Sequence, residues 1–251
     1  MASLKKIIEY LDDLLEINKF SDSSTNGLQV DSGNDNIESI ALAVDSGLSV
    51  IEAAKNSQLL IVHHGFFWGG IRSIDSALSK KLSCLYTNQC SLAAYHLPLD
   101  AHPEVGNNFE LARLLGLVKL KSYFNFDGQN IGVIGEFEKS LDFKTIEAKL
   151  KPVSEGAPIF SWNFGKQAIK TVGIVTGSGS SALDACAKAN LDLFISGEPK
   201  QEAYHTAKDL KLNAIFAGHY GTETFGVKAL GRKLSEKFNV KVNFIEQPTG
   251  V

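Results

Sequence analysis

The sequence predicts an α/β protein, because short apolar runs alternate with helical patterns along most of the chain. Runs with the length and composition of buried strands lie at residues 39–44, 59–62, 92–95, 131–137, 171–175, 191–195, 214–217 and 240–244. The chain has 251 residues, of which 44% are hydrophobic, so it can bury a full core. These observations favour strands that alternate with covering helices.

The predicted helices carry apolar residues at helical spacing. The first, Ser3 to Lys19, places leucine and isoleucine on one face with acidic residues between them. Similar patterns lie at residues 49–57, 107–115, 180–190, 199–210 and 223–238.

A weak internal repeat predicts two similar lobes. Residues 43–65 and 174–198 both follow the order strand, small-residue turn, alanine-rich helix, strand and polar turn. A turn at Asp127 and Gly128 lies midway, so we expect an N-terminal α/β lobe over residues 1–127 and a C-terminal α/β lobe over 128–251, with terminal segments that can intertwine. Chance similarity between two ordinary strand-helix-strand units stays open as an alternative.

Composition argues against several classes of protein. A formal net charge of -3 gives no overall basic field of the kind that drives binding to phosphate backbones, so nucleic acid is not an expected partner. The cysteines Cys84, Cys90 and Cys186 are odd in number and form no CxxC pair, which favours a reducing compartment. The first helix lacks a signal-peptide core and no stretch is long enough to span a membrane, so we expect a cytoplasmic protein.

Ionisable residues with metal-binding chemistry follow the carboxyl ends of three predicted strands. His63 and His64 follow one strand, His96 and Asp100 follow the next, and His219 follows a third. Ligands of open α/β sheets bind beyond the carboxyl ends of strands, so these side chains are candidates for one site. Gly65 would let the chain turn so that both imidazoles of the pair face it. One buried and one exposed histidine is the alternative.

Two carboxylates complete the candidate donor set. Glu223 follows His219 by four residues and therefore shares a helical face with it, although an acidic residue in a first helical turn is also expected from the helix dipole alone. Asp100 supplies the second carboxylate. Three imidazoles and two carboxylates suit a pair of divalent ions such as Zn, Fe, Mn or Ni, and the absence of thiolates argues against a structural zinc site.

The turn at residues 177–182 fits a G-x-G-x-x-A pattern, which also occurs in dinucleotide-binding proteins. A small-residue turn is expected in any strand-helix-strand unit, so we interpret it as structural, with an anion-binding nest as the alternative.

Several motifs are spread from the first helix to the C-terminus, at residues 26–30, 63–68, 95–103, 106–108, 196–198 and 218–223. Together they closely resemble one family, the dinuclear-metal hexameric proteins named GTP cyclohydrolase 1 type 2 homologues, or the NGG1-interacting-factor-three-like family. The resemblance implies two α/β/α lobes with a dinuclear metal site in the cleft between them, and six subunits in a toroid. Carried over, the metal ligands fall on His63, His64, Asp100, His219 and Glu223. Tyr220 departs from the histidine pair expected in many relatives, so no further ligand is assigned there.

The leading functional hypothesis is a metal-dependent hydrolase that binds two divalent ions per subunit and acts on a nucleotide or related small molecule. His96 is the candidate proton shuttle, or a residue that orients the metal ligands through hydrogen bonds. The alternative is a purely structural histidine. His205, Glu198 and Asp45 are lesser candidates. The competing hypothesis is a toroidal homohexamer that handles metal or binds a partner without turnover.

Overall fold

The computed structural model describes residues 2–70 and 73–251, which form mixed α/β structure, so the predicted fold class is confirmed. The described residues divide into two units. The first runs from Ala2 to Leu99 and includes Gly226–Gln247, and the second comprises Asp100–Phe225 and Pro248–Val251. None of the helices in these described ranges is long and apolar enough to cross a membrane.

The first unit is organised around a five-stranded sheet. Its strands are β2 (Gly27–Val30), β4 (Ser39–Asp45), β5 (Leu59–His64), β6 (Ser91–Ala94) and β13 (Lys241–Phe244). Their order is β13-β4-β5-β6-β2, and all neighbours are parallel except β2, which runs antiparallel to β6. A short antiparallel pair is formed by β1 (Ala2–Ser3) and β3 (Asn36–Ile37).

Both faces of this sheet are covered. Leu60 and Val62 of β5 pack with Val50 of the preceding helix, while the alternate residues Leu59 and Ile61 are equally buried. A parallel strand that is buried on both faces has a continuous run of apolar residues. This explains why the sequence predicted a strand at residues 59–62. The helices that lie wholly or partly in this unit are α1 (Leu4–Leu15), α2 (Leu48–Ala53), α3 (Ser76–Thr87), α4 (Leu97–Ala101) and α10 (Thr224–Phe238).

The second unit contains a six-stranded sheet. Its strands are β7 (Val118–Phe126), β8 (Gln129–Asp142), β9 (Phe160–Trp162), β10 (Ala168–Val175), β11 (Leu193–Ser196) and β12 (Asn213–Phe216). The order is β7-β8-β10-β11-β12-β9, with β10, β11 and β12 parallel and the outer strands antiparallel. The helices are α5 (Asn107–Leu115), α6 (Phe143–Leu150), α7 (Leu183–Lys188), α8 (Gln201–Asp209) and α9 (His219–Thr222).

Two apolar clusters cover the faces of the six-stranded sheet. Ile195 of β11 belongs to the cluster that contains Leu111 of α5 and Ile146 of α6. The adjacent Phe194 belongs to the other cluster, with Leu183 of α7. Successive side chains of a strand point to opposite faces, so one strand supplies both cores.

The turn at Asp127 and Gly128 joins β7 and β8 within the second unit. Both residues have positive φ, 45° and 88°, as expected for the central residues of a type I′ hairpin turn. The division between the two units falls between Leu99 and Asp100.

Each predicted strand is present, and the proposed repeat corresponds to two strand-helix-strand units with parallel strands, β4-α2-β5 and β10-α7-β11. The sequence patterns did not predict β2, β7, β9, α3 and α6. Strand β7 lies at a sheet edge, and its residues are exposed or partly buried except for the buried Phe124, so it lacks a continuous apolar run.

Candidate metal centre

The two histidines at the end of β5 are each oriented through Nδ1. Nδ1 of the buried His63 lies 2.8 Å from the carbonyl oxygen of Tyr95, to which it donates a hydrogen bond. Nδ1 of His64 lies 2.8 Å from Oδ1 of Asp45. A neutral imidazole that donates from Nδ1 carries its lone pair on Nε2, so Nε2 is the atom of both residues that could bind a metal ion.

The local structure at the end of β5 positions the side chain of His64 and requires glycine at position 65. Asp45 and His64 are paired across the parallel strands β4 and β5, which brings the carboxylate beside the ring. A β-carbon at Gly65 would overlap the side chains of Gln29 and Ala94, so the chain can follow this path only with glycine.

His96 is fixed by a carboxylate that sequence analysis missed. Nδ1 of His96 lies 2.9 Å from Oδ1 of Asp22, whose side chain is almost fully buried. The Asp22 carboxylate also accepts hydrogen bonds from the backbone of Ser24 and Leu97 and from the amide of Asn26. Burial opposes ionisation, but the hydrogen bonds and charge of His96, with those of Asn26 and Ser24, lower the pKa of Asp22 to about 2. Because the carboxylate is ionised and can only accept, His96 donates from Nδ1 and carries its lone pair on Nε2.

His63, His64 and His96 form what we call the histidine group. Their ring centroids are separated by 4.7 Å (His63–His64), 5.0 Å (His63–His96) and 5.7 Å (His64–His96). Each ring offers one nitrogen, and the three nitrogens lie within 4.8 Å of one another. The group is therefore spaced suitably for a metal ion or for proton exchange beside one.

In the second unit, Asp100 is held by side chains from two other segments. Its Oδ1 accepts hydrogen bonds from Nδ2 of Asn107 at 2.8 Å and from the hydroxyl of Thr176 at 3.3 Å. Asn108 ties the same region together, because its amide donates to the carbonyl of Asp100 and its oxygen accepts from the backbone of Thr176. These contacts fix the carboxylate at the start of the second unit.

His219 begins α9, and Glu223 is the residue between α9 and α10. Nε2 of His219 is 3.1 Å from Oε2 of Glu223, and Nδ1 is 3.2 Å from Oε1 of Glu198. Burial disfavours the charged imidazole, but hydrogen bonds and charge from Glu223 and Glu198 raise the pKa of His219 to about 9. Oxygens of Asp100 and Glu223 lie within 4.8 Å of each other. We call Asp100, His219 and Glu223 the acidic group.

The glycine-rich turn after β10 supports the acidic group. Gly177 has a positive φ of 60°, and a β-carbon there would collide with Oε1 of Glu223. The hydroxyl of Thr222 accepts a hydrogen bond from the backbone of Gly177 at 3.1 Å and donates to the carbonyl of His219 at 3.0 Å. Gly177 therefore leaves the space that the Glu223 carboxylate fills, and Thr222 holds the two turns together.

The donor chemistry of both groups fits a borderline or hard divalent cation, since it consists of imidazole nitrogens and carboxylate oxygens. The buried cysteines Cys90 and Cys186 are unsuited to this role. Burial raises the pKa of the Cys90 thiol to about 12 and also raises the pKa of the buried Cys186 thiol, so neither forms a thiolate readily.

The lesser sequence candidates have different positions. Asp45 and Glu198 are hydrogen-bonding or ion-pair partners of His64 and His219. His205 is exposed on α8 and belongs to neither group. Asp22 and Thr222, which support the candidate donors, carry no signal of this role in the sequence. Asn107 and Asn108, which contact Asp100, belong to the motif at residues 106–108. The sequence singled out that motif but did not indicate that its side chains bind Asp100.

A family model described as Duf34/NIF3 (NGG1p interacting factor 3) matches residues 2–250. The chain belongs to this family. A "GTP cyclohydrolase 1 type 2 homolog" from Pyrococcus abyssi is 43% identical over 249 residues, covering 98% of this chain and 99% of the relative. A protein of the same name from Deinococcus radiodurans is 36% identical and covers 98% of this chain and 94% of the relative. The resemblance read from the motifs is confirmed.

Solved structures of similar chains agree with the Duf34/NIF3 assignment. TTHA1606 from Thermus thermophilus is 38% identical, with a TM-score of 0.89 over 99% of this chain and 100% of that chain. A structure titled protein ybgI, of unknown function, is 30% identical, with a TM-score of 0.91 over 99% of this chain and 100% of that chain. In this Duf34/NIF3 chain, His63, His64 and His96 of the first unit form a residue group suited to metal binding.

Proposed function

We propose that this protein is a metal-dependent hydrolase that binds two divalent ions and acts on a nucleotide or related small molecule. The proposed ligands are His63, His64, Asp100, His219 and Glu223. Relatives of this chain are named GTP cyclohydrolase 1 type 2 homolog, and this name suggests a nucleotide as the substrate class. The observation that carries the proposal is the pair of the partly buried His96 and the buried Asp22, which lies beside two histidines whose lone pairs lie on Nε2.

When bound, the ions would supply Lewis acidity and lower the pKa of a water molecule. The protein contributes the remaining functions. Tyr95 and Asp45 orient the imidazoles of His63 and His64 through Nδ1. Gly177 leaves space for the carboxylate of Glu223, and the hydroxyl of Thr222 donates to the backbone of His219. Each donor is therefore fixed by a separate support, which reduces the reorganisation needed on binding.

His96 is the proposed proton carrier. Its Nδ1 proton is directed to the ionised Asp22, so Nε2 accepts a proton from the attacking water and returns it to the leaving group. Asp22 stabilises the imidazolium formed in between, as a buried carboxylate does beside a catalytic histidine. The bonds to Ser24, Asn26 and Leu97 keep this carboxylate in place.

The test is a turnover assay of the metal-loaded protein against nucleotides and a wider metabolite library. His96→Gln keeps a hydrogen-bonding amide but cannot take up a proton, so it is expected to retain metal and to lose turnover by about 10²–10⁴-fold. His205→Gln is the matched control, because His205 is exposed on α8, and should keep full activity. Full activity in metal-replete His96→Gln would overturn the proton role, and metal loss would make His96 a ligand instead.

Absence of turnover by a protein that holds its full metal content would overturn the hydrolase proposal. That result would favour the alternative, a toroidal assembly that handles metal or binds a partner. Glu223→Ala serves as the metal-depleted control in the same assay.

We also propose that the protein forms a homohexamer, because the family that it resembles is hexameric. We propose a cytoplasmic setting because its three cysteines are free thiols. Light scattering should give about six times the chain mass of 27.2 kDa. A monomer whose mass does not change with concentration would contradict the assembly.

A further inference from the structure

Trp68 lies beside the histidine group in the first unit. Its ring centroid is 4.9 Å from that of His96 and 6.0 Å from that of His64. The indole nitrogen donates to the carbonyl of Gly65 at 3.1 Å, so the polar edge of the ring is already engaged. The residue is nevertheless 42% exposed, which leaves much of its aromatic surface available.

The loop that carries Trp68 is tied to the segment that orients His96. Trp68 forms an isolated β-bridge with Ser24, the backbone of Thr25 donates to the carbonyl of Phe67 at 2.9 Å, and that of Gly69 donates to Ser23 at 2.7 Å. The neighbouring Asp22 and Asn26 hold the ring and the backbone of His96. Trp68 is therefore positioned by the same framework as the proposed proton carrier, unlike an isolated hydrophobic residue on a surface.

We propose that Trp68 is a stacking platform for a planar heteroaromatic ring of the substrate, such as a nucleobase. A large exposed indole presents a π-face that stacks on any base, and its position next to His64 and His96 would leave the rest of the molecule at the proposed reaction centre. This inference deepens the proposed function by naming the part of the substrate that is recognised. It predicts that the base, and not only the sugar and phosphate, contributes to affinity.

The chain contains two tryptophans, which makes stacking directly observable. Trp162→Phe keeps an aromatic ring beside Tyr204 and Phe216 and leaves Trp68 as the sole tryptophan. Titration of this metal-loaded variant with GMP, AMP or CMP should quench its fluorescence saturably with at least one of them, whereas ribose 5-phosphate, which lacks a base, should not. The reverse variant, Trp68→Phe, reports from Trp162 and should show no saturable quenching.

Calorimetry on the same nucleotides gives the second arm. Trp68→Leu should weaken binding of the quenching nucleotide by about 10-fold or more, and Trp68→Phe should weaken it less, with metal content unchanged. Equal nucleotide affinity in Trp68→Leu and wild type, quenching by ribose 5-phosphate alone, or no response to any of the three nucleotides would overturn the proposal. A change in light-scattering mass of Trp68→Leu with unchanged nucleotide affinity would assign Trp68 to subunit contact and overturn it likewise.

These results separate the inference from the proposed reaction. Base-dependent quenching without turnover would support stacking and contradict the hydrolase, whereas turnover with a base-independent affinity would support the hydrolase and contradict stacking.

Discussion

The imidazole of His96 donates from Nδ1 to a carboxylate oxygen of Asp22 at 2.9 Å, although the two residues are 74 positions apart in the chain. Asp22 is nearly fully buried and its pKa is lowered to about 2, so the pair contains a permanently ionised acceptor at ordinary pH. This relationship determines which nitrogen of His96 can exchange protons.

Replacing this carboxylate should therefore affect both activity and stability. Asp22→Asn leaves one acceptor oxygen for the donors from Ser24, Asn26, His96 and Leu97, so some buried donors lose their partner, at about 1–3 kcal/mol each. We expect a lower melting temperature and a turnover reduced by about 10–100-fold with metal content retained. Asp31→Asn is the control, since exposed Asp31 accepts from the backbone of Gly33 and should change neither property. Unaltered turnover in Asp22→Asn would refute the positioning role.

The same carboxylate should make stability depend on pH in the acidic range. Burial opposes ionisation, but hydrogen bonds from His96, Asn26 and Ser24 lower the pKa of Asp22 from 3.8 to about 2. A lowered pKa stabilises the folded protein above pH 3.8 and the contribution, about 2 kcal/mol, is lost as pH falls towards 2, with about half gone by pH 3. Urea unfolding of metal-free wild type and Asp22→Asn between pH 6 and 3 measures it. The difference between the two proteins should narrow on acidification, and parallel curves would contradict the assignment.

A methyl group at Gly177 should disturb the acidic group selectively. A β-carbon there collides with Oε1 of Glu223, so Gly177→Ala should displace the carboxylate and weaken metal affinity by about 10–100-fold. Gly128→Ala is the matched control, because Gly128 also has a positive φ but has no atoms within 4 Å of its β-carbon position. The control should lose stability and keep its metal. Equal metal affinity in the two variants, measured by competition with a chelator, would show that Gly177 does not shape the site.

The hydroxyl of Thr222 should matter through its two hydrogen bonds, to the backbone of Gly177 and to that of His219. Thr222→Val keeps the volume and removes both bonds, so metal affinity should fall by about 10-fold. Thr222→Ser retains the hydroxyl and should restore most of the loss. If valine and serine behave alike in the chelator competition, the hydroxyl does not position the turn.

Much of the fold was predictable because its strands are parallel and buried on both faces. Leu59 to Val62 and Leu193 to Ile195 are continuous apolar runs, and polar residues follow directly at the strand ends. Candidate donors such as His63, His64 and His219 were found for this reason. Edge strands such as Phe160–Trp162 carry no comparable run.

The supports of the candidate donors could not be predicted, because they depend on contacts between distant segments. Asp22 lies in a polar loop whose composition gives no indication that it meets His96. Gly177 belongs to a turn that is ordinary in any strand-helix-strand unit, and its role follows only from the position of Glu223. Residue type and spacing identify donors, whereas the side chains that orient them are set by tertiary packing.

Elemental analysis of the purified protein tests the central claim most directly. Five donors exceed what one four-coordinate ion requires, so wild type should contain about two transition-metal equivalents per chain. Glu223→Ala, which removes a carboxylate able to bridge two ions, should lose more metal than His63→Ala, which removes a single imidazole. A single tight equivalent in wild type that is unaffected by Glu223→Ala would contradict the account.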